Sequence, residues 1–174
     1  MISRRGFIKT VIAGALSIYS SKKVNATFIE DRSLNLYNIH TKENINIKYF
    51  EQGIYKPDAL QRINHFLRCH FTNEVKELDV KLLDLLSGIH KIFGLDKQIH
   101  VVSGYRSLEY NEYLRSIGRR VSKNSLHLLG LAADIFIPGI SNYELYKTAM
   151  AFEAGGVGHY SEFVHIDTGR KRYW

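Results

Sequence analysis

The stretch AADIFI, residues 132–137, limits what this chain can fold into more than any other segment. It reads as a short buried strand stopped by Pro138, yet its third residue is an aspartate. Side chains alternate along a strand, so Ala132, Asp134 and Phe136 share one face. A carboxylate on an apolar strand must be hydrogen-bonded, paired or bound to a metal, because burying it bare is costly. Any fold for this chain therefore has to bring a partner to Asp134. The preceding residues, NSLHLLGL, offer one in His127. Gly130 permits a sharp bend that returns the imidazole beside the carboxylate, and Gly130, Ala132 and Ala133 leave room for close backbone approach.

A second cluster lies at Glu162-Phe163-Val164-His165-Ile166-Asp167. His165 and Asp167 share a strand face, and Glu162 lies just before the strand. Two histidines and one carboxylate make a candidate zinc site with the fourth position open to water, the layout of a catalytic zinc. Zinc lowers the pKa of its water from ~15.7 toward ~7, and a nearby unligated carboxylate can take the proton. Each residue also has a plain reading when taken alone: a loop histidine, a turn-capping aspartate, a solvated glutamate.

The rest of the chain reads as one domain. LNLYNIH (34–40) and INIKYF (45–50) alternate with period two around the turn-prone Thr41–Asn44, which predicts a β-hairpin. A helix is expected from Pro57 to about Cys69, and a central buried helix from Asp79 to Gly94. QIHVVSG (98–104) predicts a buried strand, and a further helix runs from about Leu108 to Ile117. Residues 119–126 are loop-like. A last helix is expected from Ser141 or Asn142 to Ala154, then a glycine-rich turn in GGVGHY and a strand over 162–167. The expected class is α+β, a small, mainly antiparallel sheet packed with helices.

The first 26 residues stand apart. Arg4 and Arg5 precede the apolar run VIAGALSIY, and Val24-Asn25-Ala26 offers a small-residue cleavage site, so residues 1–26 read as an export signal and 27–174 as the domain. SRRGFIK resembles the twin-arginine motif, which implies the twin-arginine translocation machinery as a partner during export. A general secretory signal is the alternative. This segment carries five of the 24 basic residues and none of the 17 acidic ones, so the domain keeps 19 against 17 and has no nucleic-acid footprint. The one cysteine, Cys69, excludes an intramolecular disulfide and reads as a small buried residue, with a nucleophilic role the lesser alternative. HExxH, G-x-S-x-G and phosphate-cradling loops are absent, so no cytoplasmic cofactor is expected.

Ser125, His127, Gly130, Ala132 and Asp134 match the S-x-H-x-x-G-x-A-x-D motif of the zinc D-alanyl-D-alanine peptidases and their murein endopeptidase relatives. Glu162-x-x-His165 matches that family's second motif, and Arg106 in SGYRS its upstream arginine. The chain from about Val101 onward resembles the murein endopeptidase K type most closely, in its GGVG run and VHIDTG ending as well. The resemblance implies a hedgehog/DD-peptidase-like fold and a periplasmic enzyme with one zinc ion that hydrolyses cross-links between peptidoglycan stem peptides. It implies His127, Asp134 and His165 as zinc ligands and Glu162 as the general base. Arg106 would hold the carbonyl or the developing oxyanion. Ser125 would orient His127 or contact substrate, and His159 is a further candidate for substrate contact. Asp167 stands where relatives carry a second histidine, so its place behind the ligands stays open. A D-alanyl-D-alanine carboxypeptidase and a non-catalytic murein-binding module are the alternatives. Tyr105, Tyr110, Tyr113, Tyr160, Tyr173 and Trp174 are candidates for lining a peptide groove or for packing.

Overall fold

The structure, a computed structural model, describes residues 30–174. The expected export signal lies outside the described residues. Strands β1 (Arg32–Asn38) and β2 (Asn44–Glu51) form the expected hairpin, with Leu36 opposite Ile45 and Leu34 opposite Ile47. A short β3 (Ile54–Tyr55) follows, then helices α1 (Pro57–Phe66) and α2 (Val80–Phe93). Next come β4 (Ile99–Ser103), α3 (Leu108–Ser116), a 3-10 turn over Leu126–Leu129 and β5 (Ala132–Phe136). Helix α4 (Asn142–Ala151) leads to β6 (Gly156–His159), β7 (Val164–Asp167) and β8 (Arg172–Tyr173).

The strands make one eight-stranded sheet in the order β3-β2-β1-β4-β5-β7-β6-β8. The sheet is thus larger than expected; it is mainly antiparallel, as expected, but mixed, with two parallel pairs. β1 pairs parallel to β4, and β6 parallel to β8. The first of these follows from connectivity: α1 and α2 carry the chain back between β1 and β4, and a parallel pair needs such a crossover. GGVGHY is not a turn; Gly156 opens β6. Among the described residues, no helix is long and apolar enough to cross a membrane.

Helices α1, α2 and α4 pack on one face of the sheet and enclose the core with it. Leu82, Leu83, Leu86 and Ile89 of α2 are fully buried, packed on β1 in the same core cluster as Leu34, Leu36 and Ile135. Each such side chain contributes roughly 1.5–3 kcal/mol of burial. Asp79 caps α2 by accepting from the Lys81 backbone N–H, and Gly94 ends the helix at φ 106°. At the far edge, Asp84 of α2 accepts from the Tyr49 and Tyr55 hydroxyls (2.9 and 2.7 Å) and pairs with Arg32, joining all three edge strands to the helix.

The opposite face of the sheet carries Asp134, His165 and Asp167, since Ala133, Ile135, Val164 and Ile166 of the same strands point into the core. The segment from Gly104 to Leu131 folds over this face. Its return hinges on Gly130, at φ 71°, whose carbonyl accepts from the Asp79 N–H at 3.0 Å. A Cβ there would lie 2.7 Å from the Glu77 carbonyl oxygen. Both left-handed backbone and lack of space therefore require glycine. Gly130→Ala is expected to destabilise the fold by roughly 1–3 kcal/mol, read as a lower urea midpoint; an unchanged midpoint would contradict the hinge.

Candidate metal centre

Register brings the two sequence clusters together. β5 and β7 pair antiparallel with Asp134 opposite His165. The 3-10 turn that ends at Gly130 sets His127 above both. His127 Nε2 lies 3.3 Å from Asp134 Oδ1 and 3.2 Å from His165 Nδ1, and His165 Nδ1 lies 2.8 Å from the same oxygen. Asp134 is 5% exposed and His127 is buried.

The other ring nitrogens settle the tautomers. His127 Nδ1 lies 2.8 Å from the Gly104 carbonyl oxygen. A carbonyl only accepts, so Nδ1 carries the proton and Nε2 is left with a lone pair. His165 Nε2 lies 3.0 Å from Asp167 Oδ2. Burial raises the Asp167 carboxyl, but His165, the Gly156 and Gly169 N–H groups and Arg172 outweigh it and hold the pKa at about 2. Asp167 is therefore ionised and accepts from Nε2, so the proton His165 gives up on binding a cation is the one on Nδ1, whose lone pair then faces Asp134 and His127.

Three acceptor atoms thus converge within 4.8 Å. A proton on His165 Nδ1 satisfies one pair of them; a single divalent cation satisfies all three. The donor set of two imidazoles and one carboxylate suits zinc. Electrostatics favour a cation as well. Burial raises the Asp134 carboxyl, yet His127 and His165 outweigh it, and the pKa falls below the usual carboxylate range. His165 moves the other way: burial lowers it, but Asp134 and Asp167 raise it further.

Arg106 follows β4 in the loop before α3, tied down by its own N–H to the His127 carbonyl at 3.2 Å. Its guanidinium is buried, which lowers its pKa. All its contacts are long: 3.4 Å to Ser103 Oγ, 3.5 Å to Asn111 Oδ1 and 3.6 Å to Asp134 Oδ2, with Nε unpartnered. This is a charged donor with spare capacity, aimed at the site.

Two clefts meet over these residues. One, of about 550 Å³, is walled by Ser125, His127, His165, Tyr160 and Trp174. The other, of about 680 Å³, is walled by His70, Tyr110 and Glu162. Arg106, Asp134 and Phe163 border both. Glu162 is exposed, in the bend just before β7. Ser125 precedes the 3-10 turn and makes no capping bond there.

His159 is not brought to the centre. It pairs with Val164, whereas His165 pairs with Gly158, so His159 emerges on the other sheet face, beside Tyr143 and Tyr146 of α4. Of the aromatic candidates, Tyr110, Tyr160 and Trp174 line the clefts; Tyr105, Tyr113 and Tyr173 do not. Trp174 was undecided by sequence because its place depends on Gly158. A Cβ there would lie 2.5 Å from the indole, which packs 5.4 Å from the His165 ring and donates to the Tyr160 hydroxyl. Gly156 likewise leaves room for the Asp167 carboxylate and Arg172.

Residues 26–174 match the family model described as peptidoglycan L,D-endopeptidase MepK. The peptidoglycan L,D-endopeptidase MepK of Escherichia coli K12 is 41% identical over 145 residues, covering 82% of this chain and 80% of the relative. The probable peptidoglycan L,D-endopeptidase MepK of Haemophilus influenzae is 34% identical over 146 residues, covering 82% and 78%. No solved structure matches. These matches narrow the broader D-alanyl-D-alanine peptidase resemblance: the chain belongs to the peptidoglycan L,D-endopeptidase MepK family.

Proposed function

We propose that this protein is a zinc-dependent peptidoglycan L,D-endopeptidase that hydrolyses cross-links between stem peptides. The observation that carries this reading is the convergence of three lone-pair donors, His127 Nε2, Asp134 Oδ1 and His165 Nδ1, within 4.8 Å. When bound there, zinc supplies Lewis acidity to the scissile carbonyl and to the attacking water. Asp167 and the Gly104 carbonyl hold the two imidazoles in their ligating tautomers. Glu162 takes the proton of the water as its oxygen bonds to the carbonyl carbon, then delivers it to the departing amine as the C–N bond breaks. Arg106 donates to the carbonyl oxygen as negative charge develops. Ser125 borders the cleft beside His127 and contacts substrate there. His159, on the other sheet face, contributes packing against α4.

In the same reading, residues 1–26 are a twin-arginine export signal, residues 27–174 are the zinc peptidase domain of the hedgehog/DD-peptidase type, and the enzyme works in the periplasm. The Arg4–Arg5 pair ahead of an apolar run supports the address.

Glu162→Gln is expected to retain one zinc per chain and to lose about 10²–10⁴-fold in kcat on defined cross-linked muropeptides. Wild-type turnover in that variant removes Glu162 from the mechanism. Mass analysis of the same digests separates the alternatives: loss of a terminal D-alanine alone marks a carboxypeptidase, and retention on sacculi without fragments marks a binding module. Asp167→Asn is expected to weaken zinc binding about 10–100-fold in a competitive chelator titration. An unchanged affinity would contradict its part in aiming His165.

A further inference from the structure

Between α3 and the 3-10 turn, the chain passes along the junction of the two clefts as GRRVSKN, residues 118–124, with three basic residues and no acid. Arg119 lines the cleft that holds Glu162. Arg120, the next residue, lines the cleft that holds Trp174. Both are exposed. Arg32, Arg68, Arg106 and Arg172 each have an acidic partner. Among the described residues, Arg62, Arg115, Arg119, Arg120 and Arg170 have none, and of these five Arg119 and Arg120 line the two clefts.

The loop that carries them is pinned. Gly118 turns the chain at φ 79°, and the Arg119 N–H donates to the Leu114 carbonyl at 2.9 Å. The buried Asn111 donates to the Ser122 carbonyl at 3.1 Å and accepts from Arg106. One buried amide thus joins the loop to the arginine at the centre of the site. Two adjacent cations held in fixed backbone repel each other. Facing separate clefts and engaged in no ion pair, each is a fork of donors suited to a carboxylate.

We propose that Arg119 and Arg120 straddle the scissile bond and set specificity for an anionic peptide, each binding a carboxylate on a different side of that bond. The inference rests on the hydrolase reading above for its placement of the scissile bond. General electrostatic steering is a different matter: it would depend on total charge and not on which half of the substrate carries it.

The test uses the full-length, zinc-loaded protein and its Arg119→Gln and Arg120→Gln variants. The substrates are cross-linked stem-peptide dimers with free carboxylates, or with those of the acyl half or the amine half amidated. Each substitution is expected to lower kcat/KM about tenfold on the free-carboxylate dimer, mainly through KM. The loss should vanish when one half is amidated, and that half should differ between the two variants. Equal losses on all three dimers, dependence of both variants on the same half, or no loss would overturn the proposal. Calorimetric binding of the same dimers, with each arginine substitution placed in Glu162→Gln protein, separates the two readings. Half-specific binding losses in that background, together with wild-type zinc-loaded protein that cuts none of the dimers, would sink the hydrolase and keep the arginine assignment; cutting by the wild type without half-specific binding losses would do the reverse.

Discussion

Three lone pairs aimed at one point on a nearly dry sheet face are the constraint on which the rest of this structure depends. Left to itself, such a cluster is unfavourable: acceptors repel, and burial penalises the carboxylate. The chain holds it with hydrogen bonds placed behind each ring. Gly104 presents a carbonyl to His127, and Asp167 presents a carboxylate to His165. Asp167 is itself fully buried and anchored by two backbone N–H groups and Arg172. The charge behind the centre is thus fixed before any cation arrives, so little rearrangement is needed to bind one.

The sheet separates stability from chemistry. One face carries the packed leucines and isoleucines under α1, α2 and α4; the other carries the polar cluster. The two are mechanically linked at the start of α2. Asp79 caps the helix, accepts from the Thr168 hydroxyl just beyond β7, and receives the Gly130 carbonyl at its own N–H. The hinge that sets His127 and the strand that carries His165 are therefore both fastened to the most buried helix of the core.

Much of this was legible in the sequence, because strand alternation is a local property. Asp134 on an apolar strand demanded a partner, and the spacing of His127, Gly130 and Glu162-x-x-His165 supplied the candidates. What depends on neighbours was not legible. Period two identifies a face but not the direction of the adjacent strand, so the parallel β1–β4 and β6–β8 pairs were hidden. GGVG read as a turn because its glycines suit one. They are required instead by Asp167, Arg172 and Trp174, which crowd the β6 backbone. His159 was a candidate for substrate contact only through the family resemblance, and cross-strand pairing places it on the other face.

X-ray absorption at the zinc edge of the purified full-length protein tests the central claim most directly. The account predicts one zinc per chain bound by two imidazole nitrogens and one carboxylate oxygen, with a further light-atom donor exchangeable with solvent. A protein that retains no zinc after dialysis, or a spectrum dominated by sulfur from Cys69, would contradict it.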